Sequence, residues 1–180
     1  MANIPFMTFI KNKNISLRAL EKSDLAYLYK IENEASARQY GDSLMPHSKF
    51  VLEAFIKNAD KDISISKQLR LVIEHNSSCE TIGVVDLYDY SAHHQRAAVG
   101  IWVDEAMRQQ GYALEALESL KNYAFDILLL HQLFCYINVD NMASVHLFQK
   151  AGFSISGTLK AWHRQKSGFT DTLVLQSFNN

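Results

Sequence analysis

The passage from "QRAAVGIWV" (95–103) through "DEAMRQQG" into "YALEALESLKNYAFDILL" (112–129) constrains the fold more than any other stretch. A β-patterned run ends at Val103, a short polar link follows, and an apolar helical pattern begins at once. The first turn of such a helix carries unpaired backbone N–H groups and a partial positive charge, so it is an anion site at the carboxyl end of a strand. The chain has seven glycines and places one of them, Gly111, there. A residue without Cβ lets a phosphate approach, and Arg108 is positioned in sequence to add a charge-assisted bond. The stretch has neither G-x-G-x-x-G nor a G-K-[ST] ending, which argues against a dinucleotide fold and an NTPase.

The remaining pattern is α+β. "ISLRAL" (15–20) reads as a strand. "EKSDLAYLYKIEN" reads as a helix capped by Ser23 or Asp24, with Leu25, Leu28 and Tyr29 on its apolar face. A helix over 48–62 offers Val51, Leu52, Phe55 and Ile56. The runs 69–75 and 80–90 flank the polar "NSSC" as a hairpin, with 95–103 as a third antiparallel strand. After the long helix come a strand over 133–139, a helix over 141–151, and two late strands near 153–161 and 170–178. The chain lacks repeats, low-complexity segments and Pro/Gly/Ser-rich linkers. Residues 1–180 are therefore read as one domain.

Eighteen basic and nineteen acidic residues give a net charge of -1, which provides no overall field for nucleic acid or an anionic membrane. Neither a signal-peptide pattern nor an apolar stretch of roughly 18–20 residues is present, so a cytoplasmic protein is expected. Cys79 and Cys135 form no CxxC cluster and are read as reduced thiols. The spacing of His75, Asp89, His93 and His94 matches no common ligand motif, so no metal is expected.

"RQQGYA" resembles the R/Q-x-x-G-x-G/A pattern of the GNAT superfamily of N-acetyltransferases, and "NVDNMASVHLFQKAGF" (138–153) resembles that superfamily's second signature. With "ISLRALEKSDL", "IENEASARQYG" and "KSGFTDTLVLQSF", the likeness covers nearly the whole chain and is closest to the branch of spermidine and ribosomal-protein N-terminal acetyltransferases. The resemblance implies a GNAT fold: a mostly antiparallel central sheet, splayed at the cofactor site and flanked by helices. It implies acetyl-CoA as co-substrate, with its pyrophosphate on Arg108, Gln109, Gln110, Gly111, Tyr112 and Ala113. Its pantetheine arm would lie along Ile101, Trp102 and Val103. Asn138 would stand where the sheet opens, and Asn141 and Ser144 would bond the cofactor or cap the helix. Gly152 fits a helix C-terminus and Phe153 a return to the core.

The implied reaction is direct attack of a neutral primary amine on the acetyl thioester. A base or water relay must first deprotonate the amine, and a backbone N–H must stabilise the oxyanion. Many relatives carry a tyrosine that protonates the departing thiolate, but here Phe148 holds that place beside the cofactor, which leaves water, a displaced group such as Tyr136 or His146, or no specific donor. His146, two residues before Phe148, points to another helix face. Asp89 matches an acid near the amine in spermidine acetyltransferases and shares a strand face with Leu87, opposite Asp86, Tyr88 and Tyr90. Ala98 replaces a second family acid, whereas Glu32, Glu34 and Asp42 surround the expected acceptor groove. The acceptor is thus read as a polyamine, diamine or other small amine. A peptide N-terminus and a non-catalytic acyl-CoA-binding module stand as alternatives, and the family also implies a homo-oligomer.

Overall fold

The computed structural model describes residues 8–34, 45–165 and 168–179. Eight strands among these residues form one mixed sheet: β1 (Thr8–Lys11), β2 (Ile15–Ala19), β3 (Leu69–His75), β4 (Thr81–Ser91), β5 (Arg96–Val103), β6 (Gln132–Asn138), β7 (Ser154–Gln165) and β8 (Gly168–Phe178). Their order is β1-β2-β3-β4-β5-β6-β8-β7. Every neighbouring pair is antiparallel except β5 and β6. The β3–β4 hairpin closes over Asn76–Cys79 as expected, with the Cys79 amide donating to the His75 carbonyl at 2.8 Å.

Alternation along the strands sorts side chains to two faces. On the first face, Leu71, Ile73, Val85, Leu87, Val99, Leu133, Cys135 and Leu175 pack under helices α4 (Tyr112–Asn122) and α5 (Met142–Lys150), which contribute Leu117, Leu120, Val145 and Phe148. On the second, Val72 and Val84, with Trp102 beside them, meet α1 (Leu25–Asn33) and α2 (Lys49–Lys57) through Leu28, Ile31, Leu52 and Ile56.

Several elements depart from the sequence reading. Strand β1 was not expected; it is four residues long and pairs with β2 through a bulge. The apolar face of α1 is Leu28 and Ile31, while Tyr29 is 40% exposed and lies under the Lys49 ammonium. Asp24 does not bond the first turn of α1. Its carboxylate is buried in a bidentate pair with Arg18 and also accepts from the Glu21 amide, in a capping box on the short 3₁₀ turn Lys22–Asp24. Helix α2 stops at Lys57 with Val51 half exposed, and Asp62 starts a separate turn, α3 (Ile63–Ser66), by accepting from the Ser64 amide. The long helix ends as α4 at Asn122 and widens into a π turn over Tyr123–Ile127. No helix among the described residues is long and apolar enough to cross a membrane.

The cysteines occupy unlike places. Cys79 is exposed on the hairpin, whereas burial pushes the Cys135 thiol up to about 12. A disulfide reagent at pH 8 is expected to titrate one thiol in the native protein and two in denaturant.

Candidate active site

The site is built where β5 ends. After Val103 a 3₁₀ turn, Glu105–Met107, leads to Arg108 and then to α4, whose N-cap is Gly111. Gly111 lies at φ 87° and Gln109 at φ 61°, so two left-handed residues turn the chain into the helix. The first i→i−4 bond of α4 runs from the Glu115 amide to the Gly111 carbonyl at 3.1 Å. The N–H groups of Tyr112, Ala113 and Leu114 therefore have no partner inside the helix, and no side chain among the described residues caps them. A Cβ placed on Gly111 would meet nothing within 4 Å, which leaves the approach to these donors open. The glycine is required by its dihedral rather than by a crowding neighbour.

Arg108 turns toward the strand end. Its Nε donates to the Val103 carbonyl at 2.9 Å and its guanidinium lies 4.9 Å from the centre of the Trp102 ring. It fastens the turn to the strand end. Gln110 likewise donates back to the Ala106 carbonyl, Tyr112 places its hydroxyl 3.3 Å from His75 Nε2, and Ala113 packs on the core.

A second feature opens beside this turn. The parallel β5–β6 ladder has three partners, Arg96↔Gln132, Ala97↔Leu133 and Ala98↔Phe134, and then stops. Beyond it, β5 continues to Val103 paired only with β4, and β6 continues to Asn138 paired only with β8. The sheet splays between Val99–Val103 and Cys135–Asn138. Ile101, Trp102 and Val103 line one side of the opening, and Asn138 ends the other.

Asn138 and Asn141 are engaged in holding that end. The Asn138 amide donates to Thr170 and its Oδ1 accepts from the Asp140 amide, while Asn141 caps α5 by accepting from the Ser144 amide at 3.2 Å. Phe148 is buried edge-on against Phe153, and Gly152, at φ 85°, turns the chain after α5. His146 is exposed on another helix face, as its spacing predicts. Tyr136 is 47% exposed and points to the second face beside Phe134, opposite Phe148.

Asp89 does not share a face with Leu87. A bulge between Tyr88 and Ser91 puts it at φ 49°, exposed, while Leu87 is fully buried. Asp86 is the acid held against the sheet. Both its oxygens accept from Arg70, at 2.7 and 2.9 Å, and the same guanidinium bonds Glu32 from α1. Burial works against the charge on Arg70, yet the two carboxylates outweigh it and raise its pKa. Sequence reasoning missed Arg70, although an arginine inside an apolar strand signals a buried acid opposite it. Ala98 is fully buried, Glu34 follows the end of α1, and Asp42 lies outside the described residues. His93 and His94 meet edge to face in the β4–β5 turn, and no group of three metal-ligating residues occurs among the described residues.

The acetyltransferase (GNAT) domain family matches residues 14–154. The chain belongs to the GNAT acetyltransferases. It is 30% identical over 146 residues to a spermidine N(1)-acetyltransferase of Escherichia coli K12, covering 81% of this chain and 76% of that one. With the Vibrio cholerae enzyme of the same name the identity is 28% over 148 residues, or 82% and 83% of the two chains. A crystal structure of spermidine N-acetyltransferase from Vibrio cholerae, in complex with CoA and spermine, superposes with a TM-score of 0.84 at 25% identity, covering 93% and 97%. The splayed sheet and the open helix start are thus features of a GNAT fold, in a family whose enzymes use acetyl-CoA.

Replacing Gly111 with alanine keeps the open approach but forces a Cβ into the left-handed region. A loss of about 1–2 kcal/mol in urea unfolding is expected, against no loss if the dihedral were unstrained.

Proposed function

We propose that this GNAT domain transfers the acetyl group of acetyl-CoA to a primary amine of a small polyamine or diamine. One observation carries the reading: the open start of α4 and the splay between β5 and β6 meet at the same end of β5. Diphosphate needs donors and a fixed positive pole, and the free N–H groups of Tyr112 and Ala113 supply them. An extended amide-bearing arm needs backbone partners, and the unpaired edges of Ile101–Val103 and of β6 up to Asn138 supply those. Arg108, Gln109, Gln110, Asn141 and Ser144 shape this path by holding turns and caps rather than by side-chain charge.

Acetyl-CoA brings an activated thioester, and the residues here bind, orient and handle protons. A backbone N–H of splayed β5 is placed to stabilise charge on the carbonyl oxygen. Asp89, exposed on its bulge, receives the cationic amine and passes its proton to solvent. Phe148 has no proton to give and serves as an apolar wall. We assign the proton taken up by the thiolate to Tyr136, exposed on the splayed part of β6. A thiol pKa of about 8.5 makes that step undemanding. The likeness to spermidine acetyltransferases supports a polyamine acceptor over a peptide N-terminus.

Calorimetry tests the cofactor half: acetyl-CoA is expected to bind the native protein and to lose all measurable binding to Arg108→Glu/Gly111→Asp. Unchanged affinity in that variant would contradict the placement. Spermidine should release CoA faster than a peptide with a free N-terminus, and the reverse order would favour N-terminal acetylation. Tyr136→Phe should lower kcat roughly tenfold or more with acetyl-CoA affinity intact.

A further inference from the structure

The turn that aims the start of α4 is exposed for most of its length and needs an anchor. Of residues 105–111, Met107 is half-buried against the apolar cluster of the first face, and the others are exposed. Arg108 runs to the opposite side. Its Nε donates to the Val103 carbonyl at 2.9 Å, and its guanidinium lies 4.9 Å from the centre of the Trp102 ring. Trp102 is the register partner of Val84 on β4 and packs on the cluster that Val84 shares with α1 and α2. The turn therefore straddles the end of β5, with Met107 on one face of the sheet and the Arg108–Trp102 stack on the other.

An indole is a costly choice for that place. The preceding residues on the same face of β5 are Ala98 and Gly100, and the buried members of the cluster are all Leu, Ile or Val. The Trp102 N–H is buried and has no hydrogen-bond partner among the described residues. A donor buried without a partner costs stability that a leucine in the same place would not lose. What the indole adds over an aliphatic side chain is the negative face of its ring, and Arg108 lies over that face. A guanidinium held over the ring stays within reach of the Val103 carbonyl, and that bond fixes the chain three residues before the Gly111 N-cap.

On the reading given above, in which acetyl-CoA lies at the start of α4, we infer that Trp102 is a positioning residue for cofactor binding. The face of its indole holds Arg108, and Arg108 holds the turn that presents the Tyr112 and Ala113 N–H groups to the diphosphate. Trp102 acts through its ring and not through its N–H. Its loss loosens the cofactor half of the site and leaves the acceptor half as it was.

Calorimetry with acetyl-CoA, set beside steady-state kinetics, tests the assignment. Trp102→Leu keeps an apolar side chain without a ring face and should weaken acetyl-CoA binding about three- to tenfold, the scale of one cation–π contact, with KM for spermidine unchanged. Trp102→Phe keeps a ring face and should stay within about twofold of the native protein. Arg108→Ala, at an exposed position, should show the loss expected of Trp102→Leu whether or not that variant folds, and the double variant should be no weaker than either single one. In a Trp162→Phe background Trp102 is the one indole left, and its emission should change on Arg108→Ala. Unchanged affinity in Arg108→Ala or Trp102→Leu, additive losses, a phenylalanine variant as weak as the leucine one, unchanged emission, or a raised KM for spermidine with acetyl-CoA affinity intact would overturn the inference. Failure of the native protein to bind acetyl-CoA or to turn over spermidine would instead overturn the proposed function.

Discussion

The structure depends on the early end of one strand pairing. Parallel pairing of β5 with β6 stops after Ala98↔Phe134, although both strands run on. Unpaired backbone groups cost about 1–3 kcal/mol each when they are buried without partners, so a sheet tolerates such a gap only if the strands are fixed from outside. Here they are. β5 is held along its length by β4 up to Gly83↔Val103, and all seven residues of β6 pair with β8. Beneath the gap, α4 and α5 join one apolar cluster through Leu117, Leu120, Val145 and Phe148. The opening is a rigid consequence of topology, with the unpaired donors of α4 at its end.

The two faces divide the remaining work. The first is apolar and carries the helices that hold the opening in shape. The second carries the ion pairs Arg18–Asp24, Arg18–Glu74 and Arg70–Asp86, which tie β2 to the turn before α1 and to β3, and β3 to β4. Buried pairs of this kind add little net stability but penalise arrangements that separate them. Their value lies in fixing α1 and its carboxylate, Glu32, against β3 and β4.

Much of this was legible in the sequence. Period-two runs marked β3, β4 and β5, the polar link marked their hairpin, and "RQQGYA" followed by "NVDNMASVHLFQKAGF" marked the open start of α4 and the place where the sheet opens. What escaped was decided by tertiary contacts. Asp24 looked like a helix cap until Arg18 claimed it. Asp89 looked like a partner of Leu87 until the bulge reversed the alternation, and the bond from Arg108 Nε to the Val103 carbonyl, beside the Trp102 ring, is set by the turn after β5. The burial of Phe148 against Phe153 depends on packing that no local pattern encodes.

The central claim is that the gap between β5 and β6 and the start of α4 receive one continuous ligand. Backbone amide NMR during titration with CoA tests it most directly. The amides of Tyr112 and Ala113 and those of Val99–Val103 should shift together along one saturation curve, while those of β2 stay in place. Shifts confined to another surface, or separate curves for α4 and β5, would contradict the account.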